Sequence, residues 1–207
     1  MANADMNRLM DNARVKLPGA LDATIQLELF AVVNEFFQTS NLWYEDIAFS
    51  VTPTTQTYLE NPSAYTYELI PLQDGTINRL MTIVDSAGFP QAGIMPTPGS
   101  VILQHSPNKA DTFTARVAKT VTDPTATDGS PIFPEWVMNK YGNEILDGVL
   151  GRMMAQIAKP YSSPALAALY VRKFRQSVSR AKAEAMHGNL YRGQSWRFPS
   201  SFSARHY

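Results

Sequence analysis

The residue types that most often carry chemistry are sparse in this sequence and far apart. Its three histidines, His105, His187 and His206, lie in a predicted loop, at the end of a predicted helix and next to the last residue. None of them has a partner at the spacing of metal ligands. The chain contains no cysteine, so it offers no disulfide framework and no thiolate metal site. The sequence therefore predicts no metal site and no cofactor.

The acidic residues form no recognisable catalytic pair. Asp123 and Asp128 share one loop, but their spacing does not match a calcium-binding loop. The sequence has no phosphate-cradling glycine motif, no nucleophile elbow and no zinc signature. Scattered acids can still be brought together by a fold, so an enzyme with such a site is one alternative. We predict that the protein is not an enzyme.

The charged residues divide the chain into two unlike parts. The 18 Lys and Arg balance the 18 Asp and Glu, but from Tyr161 onward eight basic residues stand against the single acid Glu184. This asymmetry indicates that the two parts meet different partners, or that copies of the chain meet each other. The simpler alternative is a solvated basic face.

Arginines and aromatic residues alternate in the C-terminal third, a composition that can bind single-stranded nucleic acid by stacking and phosphate contacts. The cations are sparse for a binding groove, and no DNA-binding or RNA-binding signature is present. We expect no specific binding to nucleic acid. A channel lining that lets DNA slide past would need no such signature.

The length and hydropathy of the chain restrict its class. At 207 residues it is long enough for one globular domain with a real core. No run approaches the roughly 18 apolar residues that a membrane helix needs. Residues 1–16 carry early acids and amides and lack the apolar core of a signal peptide. We expect a protein that assembles inside the cell and has no membrane contact.

Three helices are predicted, the first over residues 21–38 after the Pro18-Gly19 break. Its apolar residues form two stripes, one of Ile25, Leu29, Val32 and Phe36 and one of Leu27, Phe30, Val33 and Phe37. Apolar residues on so much of the circumference predict burial on more than one side. The second side would be covered by the β region or by a neighbouring subunit.

The other two predicted helices span residues 134–159 and 164–187, with Pro160 ending one and Ser163-Pro164 starting the next. Gly148, Gly151 and Ala155 lie along one side of the first, where another backbone can approach closely. The short turn between the two helices predicts an antiparallel pair packed with the helix over 21–38.

Residues 44–121 have a different character, with β-branched and aromatic residues between prolines and glycines. Tyr65, Tyr67 and Leu69 alternate with Thr66 and Glu68, as on a strand with two unlike faces. We predict an antiparallel meander of four to six short strands. The fold class is therefore α+β: an N-terminal arm (1–16), a domain (17–188) with a helical bundle core and this β-rich insertion, and an extended C-terminal tail (189–207).

The tail begins after Gly188 and has no periodicity, but it is rich in aromatic and basic residues. Aromatic side chains are costly to leave in water, so the tail either folds back on its own domain or docks onto a partner. We favour docking. The predicted interface residues are Tyr191, Arg192, Trp196, Arg197, Phe198, Phe202 and Tyr207.

Three stretches of the chain resemble a known family. They are LELFAVVNEFF with NLWYEDI, YELIPLQDGTINRLMTI, and EWVMNKYGNEILDGVLGRMMAQIAKPYSSPALAALYVRKFRQSV followed by YRGQSWRFP. Together they resemble the head-to-tail adaptor, or connector, proteins of short-tailed bacteriophages, over about residues 17–200. Their motifs are packing patterns without a catalytic signature. A tail-completion or stopper protein of another phage type would show similar helices.

The resemblance implies a structural virion protein that forms a ring, commonly of twelve copies, between the portal protein and the tail nozzle or fibres. It implies a C-terminal extension that reaches the portal, and DNA that passes through the ring during ejection without specific binding. The protein would be assembled in the host cytoplasm and lie in the tail or neck of the virion. A function from a different class is the alternative: a β-rich tail module that binds carbohydrate or the host through exposed Tyr and Trp.

Overall fold

A computed structural model describes residues 7–54, 62–71, 74–105, 107–121 and 133–187. Within these ranges four α-helices and two small antiparallel sheets form a mixed α+β fold, which confirms the predicted class. The helices are α1 (Asn7–Lys16), α2 (Asp22–Ser40), α3 (Glu135–Met154) and α4 (Pro164–His187), with a short 3-10 helix at Pro62–Tyr65. The strands are β1 (Tyr44–Val51), β2 (Thr66–Glu68), β3 (Thr76–Val84), β4 (Gly93–Thr97), β5 (Ser100–Leu103) and β6 (Asp111–Thr120).

The helices form one bundle around an apolar core. α3 and α4 pack along each other in opposite directions, since Lys140 near the start of α3 bonds Glu184 near the end of α4. α2 packs against both, and α1 packs against α2 and α3. The predicted N-terminal arm thus contains a helix, whose Leu9 and Ala13 are buried in the core. Within the described ranges, no helix is both long and apolar enough to span a membrane.

α3 is shorter than the helix predicted to reach residue 159. It ends at Met154, and Ala158 in the following turn has a positive φ of 60°. Beyond Met154 the side chain of Ile157 is 87% exposed, so no apolar burial stabilises a further turn. The Met154 carbonyl instead accepts a hydrogen bond from the backbone N–H of Ser163, next to the start of α4.

Two three-stranded antiparallel sheets make up the β region, with strand orders β1-β6-β3 and β2-β5-β4. The predicted antiparallel pairing and the predicted number of strands are confirmed, with six strands in the described ranges. The predicted meander order is wrong, since β4 and β5 are the one pair of neighbouring strands that is also consecutive in the chain. β6 returns across the first sheet to lie between β1 and β3, with Phe113 opposite Phe49. Its last four residues, from Val117 to Thr120, are all buried, as expected for a central strand. Alternating apolar residues predict strands but do not specify which strands are neighbours.

The two sheets pack on each other as a small sandwich with its own core. That core contains Ile47, Phe49, Val51, Leu69, Ile77, Ile83, Val101, Leu103, Phe113, Ala115 and Val117. The chain enters the sandwich after Trp43 and leaves it before Val121, and both of these residues belong to the core of the helical bundle. The backbone N–H of Lys119 donates to the Trp43 carbonyl at 2.8 Å. Both ends of the insertion therefore lie side by side.

Candidate interaction surface

Two glycines of α3 set the distance between the helices of the bundle. A β-carbon on Gly148 would lie 2.6 Å from Val32 Cγ1 and 2.9 Å from Phe174 Cδ2. One on Gly151 would lie 2.8 Å from Val171 Cγ2 and 3.0 Å from the Val171 backbone nitrogen. These distances are shorter than carbon atoms in contact allow, so α2 and α4 approach α3 this closely only because glycine is present.

Ala155, predicted to continue the glycine side of this helix, does not share the close contact. It is the C-cap of α3 and is exposed. Because α3 ends at Met154, Ala155 lies at the edge of a surface groove instead.

An open groove with a volume of about 780 Å³ lies where α4 packs against the end of α3. We call it the α4 groove. Its apolar lining consists of small or short side chains: Gly151, Ala155, Pro164, Ala167, Ala168 and Val171. Its polar lining consists of Arg172, Arg175, Gln176 and Ser179. A groove with this lining accepts an apolar side chain at its floor and negative charge at its rim.

The two arginines of the α4 groove are free to meet a partner. Both are exposed, and neither forms an ion pair with any acid that the structure describes. The contrast with Arg180 on the same helix is clear, because its Nη2 lies 2.7 Å from Glu144 Oε1. Arginine, with its planar and permanently charged head group, is the cation most suited to interfaces.

A second surface, on α2, carries the opposite charge, because this helix has three acids and no base. Arg14 lies 2.5 Å from Asp11 and 2.8 Å from Asp22. Its hydrogen bond to Asp22 holds the pKa of that carboxyl below its ordinary value. Because two carboxylates share one guanidinium, this cluster keeps a net charge of −1.

The second acidic cluster joins α2 to α3. Arg152 lies 2.5 Å from Glu35 and 3.5 Å from Glu28, so again two carboxylates share one guanidinium. The cluster carries a net charge of −1, like that around Arg14. The two clusters lie along the same helix, α2, and together leave it with uncompensated negative charge.

Between the acidic clusters, the outward side of α2 is apolar. We call it the α2 outer face, formed by Ala23, Leu27 and Ala31, which share one side of the helix by their spacing, whereas Phe30 beside them packs in part against the bundle core. Leu27 is 67% exposed. The predicted second stripe of this helix is therefore covered only in part: Val33 and Phe37 are buried, but Leu27 is not.

A buried ion pair links β1 and β6 at the end of the sandwich that lies next to the bundle. Lys119 Nζ lies 2.8 Å from Glu45 Oε2, and the two side chains are 0% and 5% exposed. Lys119 Nζ also lies 5.1 Å from the centre of the Trp43 ring, at the end of the bundle. The pair is enclosed by the fold, and it ties β1 to β6 beside Trp43 of the bundle core.

A polar pocket of about 420 Å³ between α3 and α4 is the place where acids come closest to a catalytic arrangement. It is lined by Glu144, Asp147, Lys173 and Arg180, together with Asn143, Gln176 and Ser177. Burial raises the pKa of Asp147, an effect that Lys173 opposes. Glu144 is already paired with Arg180. In the described ranges no group of three or more His, Asp or Glu is arranged to hold a metal ion.

The remaining predicted residues are placed as follows. Tyr191, Arg192, Trp196, Arg197, Phe198, Phe202 and Tyr207 lie outside the described residues, and so do Asp123, Asp128 and His206. Their assignment stays a prediction. His105 is exposed. Neither a comparison with models of known protein families nor one with curated proteins gives a match for this chain.

Sequence reasoning missed the α4 groove, the paired acids around each arginine and the exposure of Leu27. The groove has a partial signal in the sequence, because small residues recur at helical spacing beside Arg172 and Arg175. The arginine clusters have none, since Glu28 and Arg152 are 124 positions apart. Only the packing of α2 on α3 brings them together.

Proposed function

We propose that the protein is a structural subunit of a short-tailed bacteriophage: a head-to-tail adaptor that forms a ring between the portal and the tail nozzle or fibres, around the DNA channel. The sequence resemblance over residues 17–200 suggests this function. The structural observation that carries it is the α4 groove, an open apolar surface on the outside of the helical bundle, rimmed by two arginines that have no acidic partner among the described residues.

The position of the groove supports an assembly role. It is built from α3 and α4, the two helices in which the resemblance to adaptors is strongest. Interfaces between proteins combine an apolar centre with arginine at higher frequency than the rest of the surface. A groove open to solvent along a long helix suits contact with a protein surface better than enclosure of a small molecule.

The division into two cores also fits this function. The bundle and the sandwich have separate apolar clusters, so each is a compact unit with its own surface. In an adaptor the bundle would join neighbouring copies and the portal, and the sandwich would face the tail proteins. DNA would pass through the lumen, and its binding would be weak and would fall steeply with salt.

The binding-module alternative lacks a comparable observation. A carbohydrate platform on the sandwich would need exposed aromatic rings there. Trp43 is 4% exposed, and Trp136, at 37%, lies on α3 and not on a strand. Tyr44 on β1 is 37% exposed, and one face of its ring is occupied by Arg116, whose guanidinium carbon lies 4.7 Å from the ring centre. Phe89, in the turn after β3, is 66% exposed, but it is neither the Tyr nor the Trp that this alternative calls for.

Native mass spectrometry with electron microscopy tests the proposal. The full chain, alone or after addition of the portal protein of the same virus, should form closed rings whose mass is a fixed multiple of one chain, near twelve. A chain that stays a single copy under both conditions, at concentrations up to those of a virion assembly reaction, would contradict the adaptor function.

A further inference from the structure

We infer that neighbouring copies are joined by one specific contact: the α2 outer face of one copy enters the α4 groove of the next. This inference rests on the proposed function, because it names the surface through which a ring would be held together. It is carried by the complementary charges and shapes of the two surfaces and by their lying on different parts of the chain.

The charge of the chain is segregated along its length. Residues 1–160 carry ten basic and seventeen acidic residues, a net charge of −7, and residues 161–207 carry eight and one, a net charge of +7. The basic part contains α4, which lines the groove, and the acidic part contains α2, so copies of the chain can attract each other through these two helices. Such complementarity steers encounter and fixes register.

The local charges on the two surfaces match as well. The groove presents Arg172 and Arg175, two positive charges without acidic partners in the described residues. The α2 surface presents the clusters around Arg14 and Arg152, each with one uncompensated negative charge. Docking one on the other would neutralise both surfaces.

The shapes of the α4 groove and of the α2 outer face are also complementary. The floor of the groove is lined by small residues, so it has room for a side chain from outside. Leu27 projects from the α2 outer face with 67% of its surface exposed, next to Ala23 and Ala31. An apolar knob beside small neighbours can enter a groove of this kind as a helix does in helix-in-groove recognition.

The two surfaces share no residue. The groove is lined by α3, α4 and the turn between them, whereas the outer face belongs to α2. One copy can therefore offer its groove to one neighbour and its outer face to another. A contact between two different surfaces of the same chain propagates from copy to copy and forms a ring if the rotation closes.

Disulfide trapping tests the contact directly, because the chain has no native cysteine. A chain carrying both Leu27→Cys and Ala168→Cys should form, on mild oxidation, a ladder of covalent dimers, trimers and larger products. Disulfides require the two α-carbons to come within about 7 Å. The matched control carries Leu27→Cys and Ala183→Cys. Ala183 is exposed on the same helix about 22 Å further along, so this chain should give no ladder.

Two variants in mixture test that the contact is directional. The double substitution Arg172→Glu with Arg175→Glu reverses the charge at the rim of the α4 groove and leaves the α2 outer face intact. Leu27→Glu places a charge on the α2 outer face and leaves the groove intact. Each variant alone should remain a single copy. A mixture of the two should form complexes of two copies and no larger, because only one productive contact can form. Leu169→Glu, an exposed residue of α4 outside the groove, is the control and should leave assembly unchanged.

The outcomes separate this inference from the proposed function. Suppose that the wild-type chain forms closed rings. If the chain with Leu27→Cys and Ala168→Cys then gives no ladder, or if the control with Leu27→Cys and Ala183→Cys gives an equal ladder, the contact lies elsewhere and only the inference fails. If the ladder forms specifically but the products are open filaments, the contact stands and the ring function fails. Rings formed by Leu27→Glu alone would also overturn the inference.

Discussion

Lys119 Nζ and Glu45 Oε2 lie 2.8 Å apart in the interior of the protein, where the sandwich joins the bundle. Removing one member of a buried ion pair leaves an uncompensated charge, which costs about 3–5 kcal/mol. We expect Lys119→Met or Glu45→Leu to lower the free energy of unfolding by about this amount. The double variant Lys119→Met with Glu45→Leu should lose far less. Urea unfolding of the four proteins measures the coupling, and additive losses would contradict it.

The tight contact at Gly148 predicts a reversal of the usual helix preference. Glycine to alanine in a helix ordinarily stabilises by about 1 kcal/mol. At Gly148 the new β-carbon would meet Val32 and Phe174, and overpacking costs about 1–3 kcal/mol. We expect Gly148→Ala to lower the melting temperature.

Gly142 on the same helix is the matched control for Gly148. A β-carbon there would lie 3.1 Å from the sulfur of Met138, a flexible side chain that can shift. We expect Gly142→Ala to leave the melting temperature unchanged or higher. An equal gain in melting temperature for both variants would contradict the close approach of Val32 and Phe174 to Gly148.

The hydroxyl of Tyr141 contributes to the stability of the fold, and this contribution is lost at alkaline pH. It donates to Glu184 at 2.7 Å, and burial together with this carboxylate raises the pKa of Tyr141 from 10.0 to about 12. Because the pKa is raised on folding, the stabilisation is complete below pH 10 and is lost as the pH rises through about 12.

The comparison of wild type with Tyr141→Phe isolates this effect, since the lysines titrate in both proteins. At pH 8 the variant should be less stable by about 1 kcal/mol, the value of one lost hydrogen bond. The difference should shrink between pH 10 and pH 12. A difference that stays constant in thermal melts across this range would show that Tyr141 ionises as it does in the unfolded chain.

Asp147 should destabilise the protein at neutral pH. Burial raises its pKa, with Lys173 and Lys16 opposing that rise, so the folded state disfavours its charged form. For a raised pKa the favourable contribution exists at low pH and is lost as the pH rises through the folded value. Asp147→Asn should therefore increase the melting temperature at pH 7 and give no increase at pH 3. Asp74→Asn, at an exposed position, should change neither.

The C-terminal residues 189–207 are predicted to dock onto the portal and to be dispensable for the fold. The buried residues of both described cores precede residue 188. A chain truncated after Gly188 should keep a cooperative melt and lose attachment to the portal. Trp196→Ala with Arg197→Ala should weaken attachment in the full chain, since these residue types dominate interfaces. Insolubility of the truncated chain would assign the tail to the core.

The elements that local pattern specifies were predictable from the sequence. The 3.6-residue period of Ile25, Leu29 and Val32 predicts α2, and the two-residue alternation around Phe113 predicts β6. The partners of these elements were not predictable, because β6 finds β1 across about 70 residues and its alternation is compatible with several neighbours. A lysine in a predicted strand is ordinarily exposed to solvent, so the burial of Lys119 was not predictable either.

The candidate interaction surface was likewise predictable only where it depends on local sequence. The spacing of Gly148 and Gly151 indicates a side that a neighbouring backbone can approach, because glycine is unfavourable in a helix unless packing compensates. Which side of α2 is left uncovered depends on the sides against which α1, α3 and α4 pack, and no period in α2 records it.

The insertion of the sandwich between α2 and α3 determines when the protein can fold. The apolar side of α2 has to remain without its partners until the ribosome has made the sandwich, α3 and α4. At ordinary synthesis rates the delay from the end of α2 to the end of α4 is roughly 7 to 30 s. Contacts such as that of Glu28 with Arg152, 124 residues apart, also make the folding step itself slow. The chain thus becomes native only after α4 has been made, so a nascent chain that has not reached α4 cannot yet present the α4 groove to a partner.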